Sequence, residues 1–302
     1  MATHSIVLRA QLILSFMAFA VCGNTAGAQD DETLQRVQAT GVFSIDAGRD
    51  VYYSDGQQDR ARQVADLLET ADGFFADLMG VEPTFSLAVL GEADWTQIWP
   101  IPYGLPYLSL SEPWVVVMPA DPEQSILFPE LEGFLGSGRA EQMVDNIGFH
   151  EVGHVYTSAA VYPQDLSGAP PVRWLDEFLA SYLAMAFLEE AAPERAAIWR
   201  DYVSQASELP APKYSSLGDF EAEYYGFLGS PEGSPNYGWY QATFAQRAAE
   251  IYADRGADFI EDMRVALGGL PTDEWTTESI LELLERLAPG TQDWASKLDS
   301  AQ

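Results

Sequence analysis

Two of the three histidines in this 302-residue sequence sit inside one pentapeptide, His150-Glu151-Val152-Gly153-His154, and the third is His4. On a helix, residues four apart lie on the same face, one turn above the other. Two imidazoles so placed can share one metal ion, while Glu151 points sideways toward a water on that metal. This is the HExxH arrangement, in which the histidines hold zinc and the glutamate acts as general base.

Catalytic zinc takes three protein ligands and keeps one position open. The third ligand cannot be histidine or cysteine, because His4 and the single cysteine, Cys22, both fall in a segment that reads as a removable leader. The metzincin continuation fails as well, since it wants glycine at 157 and histidine at 160 where the sequence has Thr157 and Ala160. A carboxylate remains. Downstream candidates are Asp165, Asp176, Glu177, Glu189 and Glu190. Asp165 lies in a Pro/Gly-rich loop, and the 189–190 pair stands at a helix end open to solvent. Asp176 and Glu177 are embedded in WLDEFLASYL, a helical stretch apolar on nearly every side. A carboxylate buried there is costly unless paired or metal-bound. Glu177 is therefore read as the ligand and Asp176 as its orienting neighbour.

The pair FHEVGH and WLDEFLASYL resembles the gluzincin (peptidase MA) metallopeptidases. In these a helix bearing HExxH is followed by a second helix carrying W-L-x-E and a nearby alanine and aromatic. The close likeness covers about residues 150–183. It implies His150, His154 and Glu177 as ligands of one zinc ion per chain, Glu151 as general base, and a peptide or protein substrate. Such enzymes often place a tyrosine on a later helix to stabilise the oxyanion. The segment from Tyr237 to Phe244 resembles that helix, with Tyr240 the first choice and Tyr237 the second. Two features depart from the pattern. The G-x-M-E-N element of the aminopeptidase branch is absent, so that specificity is not implied, and Phe178 stands where glycine often follows the ligand glutamate. The 22 residues between His154 and Glu177 also form a wider gap than that branch has. The rival reading is a gluzincin-like fold kept as a catalytically inactive binding or scaffolding protein. A purely structural zinc site would need a fourth protein ligand, and none is evident.

The elements that must position these residues change character along the chain. Residues 41–54 alternate as two short strands around a turn, 57–79 carry a helical apolar face, and 85–90 and Trp114–Met118 read as strands. Trp114–Met118 is either a sheet edge that pairs with an extended substrate or an ordinary buried strand. Trp95, Trp99, Tyr103 and Tyr107 either line a cleft or belong to the core. Helices then dominate: 140–160, 173–190, 192–208, 237–253, 258–267 and 277–287. Residues 209–236, rich in Pro, Gly, Ser and Tyr, read as a long loop and a lid candidate. The expected fold is thus α+β. A small mixed α/β half over 41–160 has a β-sheet edge strand, a mainly helical half spans 161–302, and a gluzincin-like zinc site lies between them.

Residues 1–28 read as a signal peptide, with Arg9, an apolar run too short to span a bilayer, and a small-x-small pattern at Ala26-Gly27-Ala28. Residues 29–40 read as a lead-in. Export to a periplasm or beyond follows, with no membrane insertion after cleavage. The formal net charge is −31, and Lys213 and Lys297 are the only lysines. So acidic a surface argues against nucleic acid and anionic membranes as partners.

Overall fold

The computed structural model describes residues 33–98, 101–109, 112–162, 170–209, 213–229 and 234–300. The expected signal peptide, Trp99 and Asp165 lie outside them. Five strands form one sheet in the order β1-β2-β3-β5-β4: β1 Phe43–Asp46, β2 Asp50–Tyr53, β3 Phe85–Leu90, β4 Tyr107–Leu108 and β5 Trp114–Pro119. The β2–β3 and β3–β5 pairs are parallel; β1 and β4 are antiparallel to their neighbours. A parallel centre is covered on both faces, which explains the continuous apolar runs Leu87–Leu90 of β3 and Trp114–Pro119 of β5. Leu87, Val89, Val116 and Met118 join the main core on one face, while Ala88, Leu90, Val115 and Val117 join a smaller cluster on the other.

Helix α1 (Thr33–Ala39) supplies fully buried Val37 to that smaller cluster, so part of the expected lead-in is packed structure. Helix α2 (Gln58–Met79) buries Ala61, Val64, Ala65, Leu68, Ala71, Phe75 and Met79 at helical spacing and ends on Gly80 in the left-handed region. Helix α3 (Glu92–Ile98) brings Trp95 into edge-to-face contact with Tyr103 and Tyr107. Trp95 is only 1% exposed, which makes it a core residue.

The helical half continues with α4 (Phe128–Leu135), α5 (Ser137–Ala160), α6 (Arg173–Ala191), α7 (Pro193–Ser207), α8 (Leu217–Gly229), α9 (Ser234–Arg255), α10 (Asp258–Gly268), α11 (Thr277–Leu287) and α12 (Thr291–Asp299). The main core runs from Val51 on β2 to Leu298 on α12, so the sheet and the helices share one apolar interior. No described helix is long and apolar enough to cross a membrane. The architecture is mixed α+β.

Two expectations change. Trp114–Met118 is no edge: β5 has β3 on one side and β4 on the other, and the outer place falls to the two-residue strand β4. The supposed loop 209–236 contains α8. Its Leu217, Phe220 and Phe227 are buried at 0–3% exposure, at a spacing that makes one apolar stripe despite the surrounding Gly and Pro.

Candidate metal centre

The motif helix α5 lies against the sheet and against α6. At Gly148 an added Cβ would come within 3.0 Å of the Met118 side chain, and at Gly153 within 2.9 Å of the Ala180 carbonyl oxygen. These close approaches bring the pentapeptide face to face with the first turns of α6, where Asp176 and Glu177 reside.

Three donor atoms converge there. His150 Nε2 stands 3.0 Å from His154 Nε2 and 3.1 Å from Glu177 Oε2, and His154 Nε2 lies 3.3 Å from the same oxygen. A small divalent ion bound tetrahedrally at about 2.0–2.1 Å spaces its ligands about 3.3 Å apart. The triangle fits such an ion. Polar groups also stand behind both rings: His154 Nδ1 lies 2.9 Å from Asp176 Oδ2, an ion-pair approach without hydrogen-bond alignment, and Ser181 Oγ lies 3.3 Å from His150 Nδ1. Asp176 is itself fixed, accepting from Thr157 Oγ1 at 2.8 Å. A carboxylate behind a ring nitrogen sets the tautomer that turns the Nε2 lone pair toward a metal. Among the described residues, His150, His154 and Glu177 form a buried group that could hold a metal ion.

Glu177 is satisfied on every side. Its Oε1 accepts from the hydroxyls of Tyr224 and Tyr237, each at 3.0 Å, and its Oε2 accepts from Gln241 Nε2 at 2.8 Å. Tyr237 and Gln241 are one turn apart on α9, and Tyr224 comes from α8. Tyr240 points elsewhere. It is fully buried among Phe220, Phe227 and Phe244 and donates to the Ser216 carbonyl at 2.6 Å. The structure thus brings Tyr237, not Tyr240, to the cluster, and adds Tyr224, which the sequence reading had left in a loop. The missed signal was the Leu217/Phe220/Tyr224/Phe227 spacing.

The other carboxylate candidates have separate partners. Glu189 pairs with Arg200, and Glu190 accepts from Tyr252. Phe178 is 1% exposed and packs on Tyr182 and Phe259, filling the core behind α6.

Burial shapes the electrostatics. It pushes Glu151 up to about 8, against the opposing pull of His154. It lowers His150, with His154 adding to the effect. Burial also disfavours charge on His154 and Glu177, yet the carboxylates of Asp176 and Glu177 raise His154 well above its ordinary value. The imidazoles in turn hold Glu177 well below the usual carboxylate range. In the metal-free cluster the His154 imidazole and the Glu177 carboxylate thus stabilise each other's charged forms. Burial, and then the Glu177 carboxylate, keeps the Tyr224 and Tyr237 phenols protonated.

Chemically, the cluster offers one cation site with three ligands, an adjacent carboxylate in Glu151 and phenol donors beside it. No protein-family model, curated protein or solved structure matches this chain.

Proposed function

We propose that the chain is an exported, zinc-dependent metallopeptidase of gluzincin type. The observation that carries the reading is the convergence of His150 Nε2, His154 Nε2 and Glu177 Oε2 within 3.0–3.3 Å, backed by Asp176 on His154. Two neutral imidazoles and one carboxylate, with no cysteine, form the donor set that hydrolytic zinc sites use. A zinc ion bound there supplies Lewis acidity and lowers the pKa of its own water to about 7.

The chain's residues then have distinct tasks. Glu151 takes the proton of the attacking water and returns it to the leaving amine of the peptide bond. At about 8 in the metal-free protein, Glu151 is protonated at neutral pH. A nearby dication favours its ionised form, so the base becomes competent only in the loaded site. Of Tyr237 and Tyr240, Tyr237 is the one whose hydroxyl reaches the cluster; it donates to Glu177 Oε1 at 3.0 Å and would release that bond to donate to a developing oxyanion. The outer edge of β4 is the natural partner for an extended peptide, in place of Trp114–Met118. There the Leu108 backbone favours the ionised Glu151 carboxylate, against its burial.

The burial of Glu151, only 9% exposed, also favours a second reading, a site kept for metal binding alone. One experiment separates the two. Bound zinc is measured on protein spanning 29–302, and hydrolysis of a mixed peptide pool is compared between wild type and Glu151→Gln. Near one zinc per chain with hydrolysis lost in Glu151→Gln supports the enzyme. Zinc without hydrolysis in either protein supports the binding reading, and no zinc after reconstitution sinks both.

A further inference from the structure

The two oxygens of Glu177 face different groups. Oε2 meets both histidines and the amide of Gln241, whereas Oε1 meets only the two tyrosine hydroxyls. A carboxylate oxygen has two lone pairs in its plane. Two phenol donors at 3.0 Å occupy both of those on Oε1.

From this arrangement we infer that Tyr224 is a positioning residue, which with Tyr237 holds Glu177 to metal ligation through one oxygen and so keeps a coordination position open. The inference rests on the reading that the cluster holds a metal, and not on peptide hydrolysis. Carboxylates bind ions through one oxygen or through both, and a chelating Glu177 would fill the place a water or substrate needs.

The position of Tyr224 is set by how α8 lies on α6. Glu221 Oε1 accepts the backbone N–H of Trp174 at 2.9 Å, and Tyr224 donates to Glu177. Residues 221 and 224 are one turn apart on α8, as 174 and 177 are on α6, so the two helices meet rung by rung. The Arg173 guanidinium lies 5.6 Å over the Tyr224 ring and donates to the Glu221 carbonyl at 3.2 Å. On α8's apolar stripe, Phe220 and Phe227 pack against Tyr240, and Phe220 also meets Phe244, both on α9. The phenol is thus delivered to Oε1 by a helix anchored in the core. That helix packs on α9, which supplies Tyr237 and Gln241, so the two phenols reach Oε1 from two different helices of one packed pair.

Cobalt(II) tests this, because its visible absorption weakens as coordination number rises. Wild type, Tyr224→Phe and Tyr240→Phe are titrated with Co2+, and urea melts of the metal-free proteins check folding. Tyr240→Phe also removes a buried hydroxyl from a fully packed ring, but one bonded to Ser216, and serves as the control for a merely structural loss. The expected result is a weaker band in Tyr224→Phe as Oε1 joins the metal, with Co2+ affinity about tenfold lower. Wild type and Tyr240→Phe should share one spectrum. A Tyr224→Phe spectrum identical to wild type overturns the inference while leaving the metal reading intact. Failure of wild type to bind Co2+ overturns both and is recognised before any variant is compared. Should Tyr224→Phe not fold, Glu221→Ala removes the clamp, leaves the phenol, and is read by the same band.

Discussion

Gly153, between His150 and His154, and Gly73, in the middle of α2, should respond oppositely to the same substitution. In a helix interior, alanine is favoured over glycine by about 1 kcal/mol. Gly73 is exposed and a Cβ there meets nothing within 4 Å, so Gly73→Ala should gain about 0.5–1 kcal/mol. At Gly153 the same Cβ would stand 2.9 Å from the Ala180 carbonyl oxygen and 3.1 Å from its Cα, both backbone atoms that cannot rotate away. Overpacking of this kind costs about 1–3 kcal/mol. The propensity gain is common to both variants, so they should separate by that overpacking cost, with Gly153→Ala the less stable. Urea melts of metal-free protein measure the difference directly. A second readout follows, because Ala180 lies one turn from Glu177 on α6. Forcing α5 and α6 apart by a few tenths of an ångström moves the ligand carboxylate from the imidazoles, so Gly153→Ala should weaken zinc binding and Gly73→Ala should leave it unchanged. Equal stabilisation of both variants would refute the close-packing argument, and with it the claim that Gly153 is what lets the two halves of the ligand set meet.

Asp176→Asn keeps the shape behind His154 and removes the charge, and zinc affinity should fall about 10–100-fold in a chelator competition. An affinity within a factor of two of wild type would show that Asp176 does not orient the ring. Glu151 titrates at about 8 in the folded metal-free protein against an ordinary 4.5, so its stabilising contribution is complete below pH 4.5 and is lost as pH rises toward 8. Wild-type stability should therefore fall relative to Glu151→Gln by up to about 1.4 kcal/mol per pH unit between pH 5 and 7; parallel pH slopes in urea melts would contradict the buried, protonated carboxyl. Tyr237→Phe should lower kcat/KM about a hundredfold if its hydroxyl donates to the oxyanion. A larger loss from Tyr240→Phe would reverse the assignment, since the Tyr240 hydroxyl is bonded to Ser216.

What could be read from the chain and what could not divide along one physical line. His150, Glu151 and His154 were legible because their chemistry depends on a spacing inside a single helix, and a helix repeats itself wherever it lies. Glu177 was legible for a different reason: a carboxylate in a segment apolar on every side must have a partner, and one strong constraint sufficed. Tyr224 satisfied neither condition. Its helix carries Gly218, Gly226 and Gly229 between proline-bearing flanks, so turn-forming residues outweighed a stripe of four apolar positions. Its role exists only where α8 crosses α6. The order of Tyr237 and Tyr240 was hidden for the same reason. Periodicity separates residues 237 and 241 from 240 around α9, but only packing decides which face meets Glu177. The edge of the sheet was hidden because β4 has two residues, too few to show any period, and it displaces β5 from the edge through pairing alone. The ligands were therefore readable where the chain itself holds the geometry. The groups that hold Glu177 from other helices were not, because α8 and α9 reach it across separations of 47 to 64 residues. A cluster of this kind shows locally the residues its own helices hold, Asp176 included, and conceals those that other helices bring, so Tyr224→Phe probes the tertiary assembly in a way that substitution of either histidine cannot.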